Sequence, residues 1–343
     1  METDRRDFLK AASTVGAIAA AGATLTGGGN VASAAPARSG PRGLAHGLTL
    51  LTLRRNGEYR LGVKTDHGVL DVKEAAGVMH MPAPATMDDL LQNEDGVNLN
   101  ALVQAALKPT SAAKKAFLQD DAVQYGPLVT RPEKIVCVGL NYKRHAKEVA
   151  MPIPKQPVLF NKFNNSLAEH TAKVKLPPRE IAYKFDHEVE LVIIMGKEAK
   201  NVSESDALNY VAGYATGNDF SARDLQLETG GQWMVGKTLD QFAPLGPYLV
   251  TADQVDPDNL KIECRINGET RQSSNTNDLI FNTRQMISYI SHHLTLRAGD
   301  IIFTGTPEGV VQGKPADKRV WLKPGDKVAC SLEKLGELTF DLV

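Results

Sequence analysis

The sequence predicts an α+β fold in which strand predominates. Short apolar runs of strand length recur from Arg131 to the C-terminus, joined by connections rich in Gly, Pro, Asn and Asp. Those runs do not alternate regularly with helices, as a parallel sheet of βαβ units would require. One segment of that region, 283–294, carries a clear helical period. The 343 residues leave room for about two domains. With 42% hydrophobic residues, 23% charged residues and a net charge of -1, the composition is that of an ordinary globular protein. Such a balance creates no field for polyanions, so nucleic acid is not an expected partner.

Taken in order, residues 1–34 read as a targeting segment. "RRDFLK" (Arg5 to Lys10) precedes an Ala/Gly-rich apolar run, and "ASA" (Ala32 to Ala34) follows. This is the pattern of a twin-arginine export signal, and the run is too short and too weakly apolar for a stable membrane anchor. The expectation is export to the periplasm, with the Tat machinery as a transient partner. Residues 35–47, which include "PARSGPRG", form a linker.

A small N-terminal β domain is expected over 48–125. "LTLLTLRRNGEYRLGVKTDHGVLDV" reads as three strands separated by the turns Asn56-Gly57 and Asp66-His67-Gly68. "TMDDLLQ" and "NLNALVQAAL" have helical spacing, with Thr86 and Asn98 as N-caps. The polar, Pro-containing stretch "QDDAVQYGPLVTRPEK" is a linker, and a second domain spans 131–343. Within it, strands are expected near 134–139, 157–162, 187–195, 213–219, 246–251, 260–267, 300–304 and 327–332. Helices are expected near 144–150, at 204–211 behind a Ser203 cap, and at 283–294. Cys137, Cys264 and Cys330 each sit in an apolar strand-like run, and no C-x-x-C spacing occurs, so buried free thiols are expected.

The chemistry concentrates in "FDHEVELVIIMGK". Side chains alternate along a strand, so Glu188 and Glu190 share a face, with backbones roughly 6.5 to 7 Å apart. Two unpaired carboxylates at the head of a strand apolar on both faces would repel and resist ionisation unless a cation lies between them. A hard divalent ion with oxygen ligands fits that need, and it requires a third acidic ligand. Asp219 and Asp224, both in "GYATGNDFSARD", are the candidates, and spacing does not choose between them. In "NYKRHAKE", His145 and Glu148 lie three residues apart on one face of a helical turn. Such a pair can fix an imidazole's tautomer and raise its basicity, as a general base requires. His187 should point away from the ligands, His292 and His293 read as contacts at a helix end, and Trp233 and Trp321 read as packing.

Six ordered motifs then carry a resemblance: "GLNYKRHAKE", "FDHEVELVIIMGK", "GYATGNDFSARDLQ", "GKTLDQFAPLGP", "RQSSNTNDLIF" and "LRAGDIIFTGTPEGV". Together they resemble the fumarylacetoacetate hydrolase family, over roughly the last three-fifths of the chain. The unit at 48–125 is similar in position and length to the variable N-terminal domain of longer bacterial members. The resemblance implies a mixed β-roll, a homodimer, and one Mg²⁺ or Mn²⁺ per subunit held by Glu188, Glu190 and Asp219. It further implies His145 and Glu148 as a water-activating dyad on a short lid helix and Lys237 as the active-site lysine. Arg223, Gln226, Lys162 and Thr306 would bind substrate. "CVGL" supplies no acidic ligand upstream of the histidine, so the chain resembles the three-carboxylate branch of acylpyruvases and 2-hydroxyhepta-2,4-diene-1,7-dioate isomerases. "FNNSLAEHTAKVKLPPREIAYK" diverges from the commoner family version.

The reaction these expectations favour is hydrolytic carbon-carbon cleavage of a 2,4-dioxo acid such as an acylpyruvate. The alternatives are isomerisation of a 2-hydroxydienoate, decarboxylation of a 2-oxo diacid, and a periplasmic oxo-acid-binding protein without turnover.

Overall fold

The computed structural model describes residues 42–343. The export signal expected at 1–34, and residues 35–41 of the linker, lie outside the described residues. The first elements follow the two turn signals: β1 (Thr49–Arg55), β2 (Glu58–Thr65) and β3 (Gly68–Asp71) form an antiparallel meander. Asn56 and Gly57 take φ of 52° and 79°, the left-handed backbone a two-residue hairpin needs. Helix α1 (Val72–Met79) follows β3 without a break, capped by the Asp71 carboxylate, which accepts from Glu74 N. Thr86 caps α2 (Met87–Asn93) as expected. Helix α3 (Gly96–Ala106) starts earlier than the Asn98 cap predicts; Asn98 lies inside the first turn and donates to Asp95 Oδ1 at 2.6 Å.

The chain continues through β4 (Phe117–Leu118), β5 (Ile135–Gly139), α4 (Lys143–Glu148), β6 (Val158–Lys162), β7 (Leu167–Ala168), β8 (Ala172–Val174) and β9 (Phe185–Asp186). Strands β10 (Val189–Met195) and β11 (Val211–Asn218) pair antiparallel, followed by β12 (Ser221–Ala222), α5 (Arg223–Leu227), α6 (Met234–Lys237), β13 (Ala243–Pro244) and β14 (Leu249–Thr251). The remaining elements are β15 (Lys261–Ile266), β16 (Glu269–Asn275), α7 (Thr283–His293), β17 (Ile301–Phe303), β18 (Lys327–Leu332) and β19 (Gly336–Leu342). Strand thus predominates in an α+β fold.

Ten strands form one sheet in the order β4-β3-β2-β1-β14-β11-β10-β17-β5-β6, and five form a second in the order β16-β15-β18-β19-β8. Because β1 pairs with β14, the first sheet runs unbroken across the boundary expected at 125–131. The polar stretch there lies along β1, with Gly126 N donating to Thr52 O and Arg54 N to Gln124 O. Strand β10 explains the apolar run "LVIIM". Val189, Leu191 and Ile193 pack with Cys264, Cys330 and Phe340 of the second sheet, whereas Val192 and Ile194 pack with Leu50, Leu61 and Leu99 of the N-terminal region. Both faces of the strand are core, so neither tolerates an uncompensated charge.

One further expectation changes, and one strand was not expected. The helix expected at 204–211 is a single 3-10 turn, Ala207–Tyr210, because Val211 already belongs to the fully buried β11. The N-cap of this turn is Asp206 and not Ser203, whose hydroxyl accepts from Asp206 N at 3.2 Å in the turn that precedes it. Strand β16 has a polar sequence, ETRQSSN, and is an edge strand supported by its ladder with β15. The three cysteines are buried and free.

Candidate active site

The register of β10 and β11 assembles the acidic centre. Val189 opposes Asn218, so Glu188 and Asp219 lie just past the paired ends, where Asp219 N donates to Glu188 O at 2.9 Å. Oxygens of Glu188, Glu190 and Asp219 come within 4.8 Å of one another, and all three residues are buried. Asp224 is engaged elsewhere: its carboxylate accepts from Tyr183 N at 3.1 Å and Lys184 N at 3.2 Å, fixing the segment that precedes β9. Antiparallel pairing therefore makes the choice that spacing leaves open.

Cations crowd this centre. The Arg223 guanidinium donates to Glu188 at 2.6 Å, Asp186 at 2.8 Å and Gln226 at 2.8 Å. Lys237 Nζ lies between Glu188 and Asp219, 2.9 Å from the latter, and 5.4 Å from the centroid of the Phe160 ring. Lys162 bonds Asp219 and, at 3.2 Å, Phe220 O. Burial opposes ionisation of Glu188, but Arg223 and Lys237 outweigh it and bring the carboxyl down to about 2. Glu190 makes no ion pair with these cations, and Lys237 favours its charge only weakly. Burial, with Asp219 and Glu188 adding repulsion, pushes it well above its usual range, and Gly305 N, donating at 2.7 Å, offsets only part of this. The donor set fits a hard divalent cation: three buried carboxylates converge, and one of them resists ionisation without further positive charge.

The dyad forms as the i, i+3 spacing predicts. His145 Nδ1 is 3.1 Å from Glu148 Oε2 on α4. Glu148 Oε1 also accepts from Gly309 N at 2.9 Å, which ties the helix to the "TGTPEG" loop. Asn141 fixes the other end, its amide donating to Thr304 O at 2.7 Å and accepting from Phe281 N at 2.9 Å. His145 and the carboxylates line one cavity of about 240 Å³, shared with Arg223, Gln226, Lys237 and Thr306.

A model of the fumarylacetoacetate hydrolase C-terminal domain matches residues 134–343. The chain belongs to the fumarylacetoacetate hydrolase family. It is an enzyme of that family, whose known members include hydrolases, isomerases and tautomerases. It is 44% identical to human mitochondrial oxaloacetate tautomerase FAHD2A over 284 residues, 80% of this chain and 85% of the relative. Among solved structures it resembles maleylpyruvate hydrolase from Sphingobium sp. SYK-6, crystallised with manganese(II) and pyruvate, at TM-score 0.68 and 31% identity. That match covers 86% of this chain and 98% of the other. It also resembles 2-hydroxyhepta-2,4-diene-1,7-dioate isomerase from Mycobacterium marinum, at TM-score 0.63 and 29% identity, with 86% and 98% covered.

Within this fumarylacetoacetate hydrolase fold, eight of the ten residues singled out from the sequence line the cavity: His145, Glu188, Glu190, Asp219, Arg223, Gln226, Lys237 and Thr306, while Glu148 stands behind His145 and touches the cavity only through it. Lys162 is buried behind Asp219 and does not face the cavity; its position at the end of β6 makes it a partner of a carboxylate. Trp233, expected as packing, also lines the cavity, edge-on to Phe160 with ring centroids 5.6 Å apart. Gly139 makes room for it, since a Cβ there would meet the indole at 2.5 Å. Trp321 packs on the core, and His187 is buried away from the cavity.

Asp186 is the residue that sequence reasoning missed. Its carboxylate accepts from Arg223 Nε, His187 N, Val311 N and Gln312 N at 2.8 to 3.0 Å. The signal was present as a D-x-E-x-E alternation, Asp186, Glu188, Glu190, in which the first acid holds the arginine that neutralises the second.

Proposed function

We propose that this chain is a divalent-metal-dependent hydrolase that cleaves a carbon-carbon bond in a 2,4-dioxo acid of the acylpyruvate class. The observation that carries the reading is the opening of His145, held by Glu148, onto the same cavity as the Glu188, Glu190 and Asp219 centre. A Mg²⁺ or Mn²⁺ ion held by those three carboxylates would polarise the 1-carboxylate and 2-oxo oxygens of the substrate and stabilise enolate charge.

The protein's own groups supply the rest. Glu148 orients His145, whose free ring nitrogen takes a proton from water as the water oxygen attacks the C4 carbonyl. Collapse of the resulting adduct breaks the C3–C4 bond, leaving the C4 fragment as a carboxylic acid and the bond's electron pair as pyruvate enolate. The imidazolium then returns the proton to C3. Lys237 places positive charge beside the departing enolate, and Arg223 keeps Glu188 ionised.

A second reading is keto-enol tautomerisation, favoured by the 44% identity to a protein described as an oxaloacetate tautomerase. There His145 would carry a proton between C3 and the 2-oxo oxygen with no attack by water. Product analysis separates the two: the metal-loaded protein is given 2,4-dioxo acids and enol-form 2-oxo acids, followed by ultraviolet absorbance and mass spectrometry. Pyruvate plus a carboxylic acid supports hydrolysis, and an isomer of unchanged mass replaces it with tautomerisation.

The reading extends to export and assembly. The "RRDFLK" segment supports delivery to the periplasm by the twin-arginine route, and an Arg5→Lys/Arg6→Lys chain that still reached the periplasm would refute it. The family relationship supports a homodimer, to be tested by light scattering.

A further inference from the structure

The cavity is divided by chemistry. Its inner half holds the carboxylates and their cations. Its outer half is walled by the more exposed Leu140, Val149, Met151, Phe160, Leu227 and Trp233, with the uncharged Gln312 the polar side chain among them. Met151 and Leu227 remain 49% and 45% exposed at the rim, an apolar edge that water covers while the cavity is empty. Among the lining residues, both long-chain cations are already paired, Arg223 with Asp186 and Glu188, and Lys237 with Glu188 and Asp219. The lining histidine, His145, is held by Glu148.

We propose that the group beyond C4 of the substrate is apolar, so that the chain acts on monocarboxylic 2-oxo acids with an alkyl or aryl tail and discriminates against dicarboxylates. This rests on the proposed chemistry at the carboxylate centre and names the substrate class of that site. A distal carboxylate entering the outer half would lose its hydration against six apolar side chains with no free cation to receive it. An alkyl tail would instead remove those side chains, and itself, from water. Trp233 and Leu227 are the residues that set this selectivity: the indole forms a broad apolar wall beside Phe160, and Leu227 stands at the mouth.

The test uses unreactive isosteres of 2-oxo acids, so that binding is read without turnover. N-methyl, N-propyl and N-butyl oxamate and N-(2-carboxyethyl) oxamate are titrated calorimetrically into the Mn²⁺-loaded full chain. Affinity is expected to rise about threefold to fourfold per added methylene, with the butyl compound at least about tenfold tighter than the carboxyethyl one. Leu227→Arg adds a cation at the rim and is expected to invert that order. Equal or tighter binding of the carboxyethyl compound, a flat methylene series, or no binding of either overturns the proposal. Selective binding of the alkyl series without cleavage of the matching acylpyruvates would retain the apolar subsite and remove the hydrolytic reading.

Discussion

Gly313→Ala tests the dyad without altering either of its members. A Cβ at Gly313 would lie 2.3 Å from Glu148 Cδ and 2.5 Å from Oε2, where ordinary contact is 3.4 to 4 Å, so the carboxylate must withdraw by more than about 1 Å. Glu148 then loses its 3.1 Å contact with His145 and its 2.9 Å bond from Gly309 N. A displacement of about 1 Å at a catalytic group costs on the order of 100-fold, within the 10² to 10⁴ that general-base catalysis supplies. Stability should change far less. The lost charge-assisted bond costs about 1.5 to 3 kcal/mol at most and less for a partly exposed group. Gly313 has no positive φ, so alanine offsets about 0.4 to 1 kcal/mol through the unfolded chain. The expected result is kcat reduced roughly 100-fold, with Tm within about 5 °C of wild type and calorimetric Mn²⁺ affinity unchanged. Full turnover in Gly313→Ala, with a crystal structure showing Glu148 displaced, would refute the claim that Glu148 prepares His145.

Three further outcomes are expected. In Asp186→Asn, whichever oxygen becomes an amide leaves two donors unpaired, His187 N and Val311 N or Arg223 Nε and Gln312 N. Urea denaturation should show a loss of about 3 to 5 kcal/mol, and a loss below about 1 kcal/mol would contradict the role given to Asp186. Adding Mn²⁺ at about 100 times its Kd should stabilise the wild type by about 2.7 kcal/mol. Glu190→Gln should lose most of that gain yet be no less stable than wild type without metal, because ionised Glu190 is disfavoured by burial and by Asp219 and Glu188. The third concerns pH. Burial lowers His170 from 6.5, so the unfolded chain takes up its proton first as pH falls. Stability held above about pH 6.5 is therefore lost as pH drops through the folded-state value. His170→Asn, which can keep the 3.1 Å bond from Thr339 N, lacks this loss. Its stability deficit relative to wild type should narrow between pH 8 and pH 5.5 in urea titrations, and a constant deficit would show that His170 does not titrate on unfolding.

Some residues could be assigned from the sequence because their chemistry is local. Glu188 and Glu190 share a strand face by the period of two, and His145 meets Glu148 by the i, i+3 geometry of a helix. Asn56-Gly57 turns the first hairpin, and Thr86 caps its helix. Where the local signal was weak or misleading, neighbours in space decided. Residues 204–211 follow a serine that reads as a cap, but Val211 is held in the central sheet, leaving one 3-10 turn with Asp206 at its N-cap. The polar β16 is a strand because β15 offers it a ladder.

The sequence by itself determined the fold class, through its recurring strand-length runs, and the closeness of His145 to Glu148 and of Glu188 to Glu190, because each pair follows from a period within one element. Tertiary structure decided the rest. Pairing of β10 with β11 set Asp219 against Glu188 and left Asp224 to bind the 183–184 backbone. It turned Lys162 behind a carboxylate instead of into the cavity, and it brought Trp233 to the cavity wall in the space above Gly139. Such choices depend on register and on the room left by distant residues, quantities that no single stretch of chain contains.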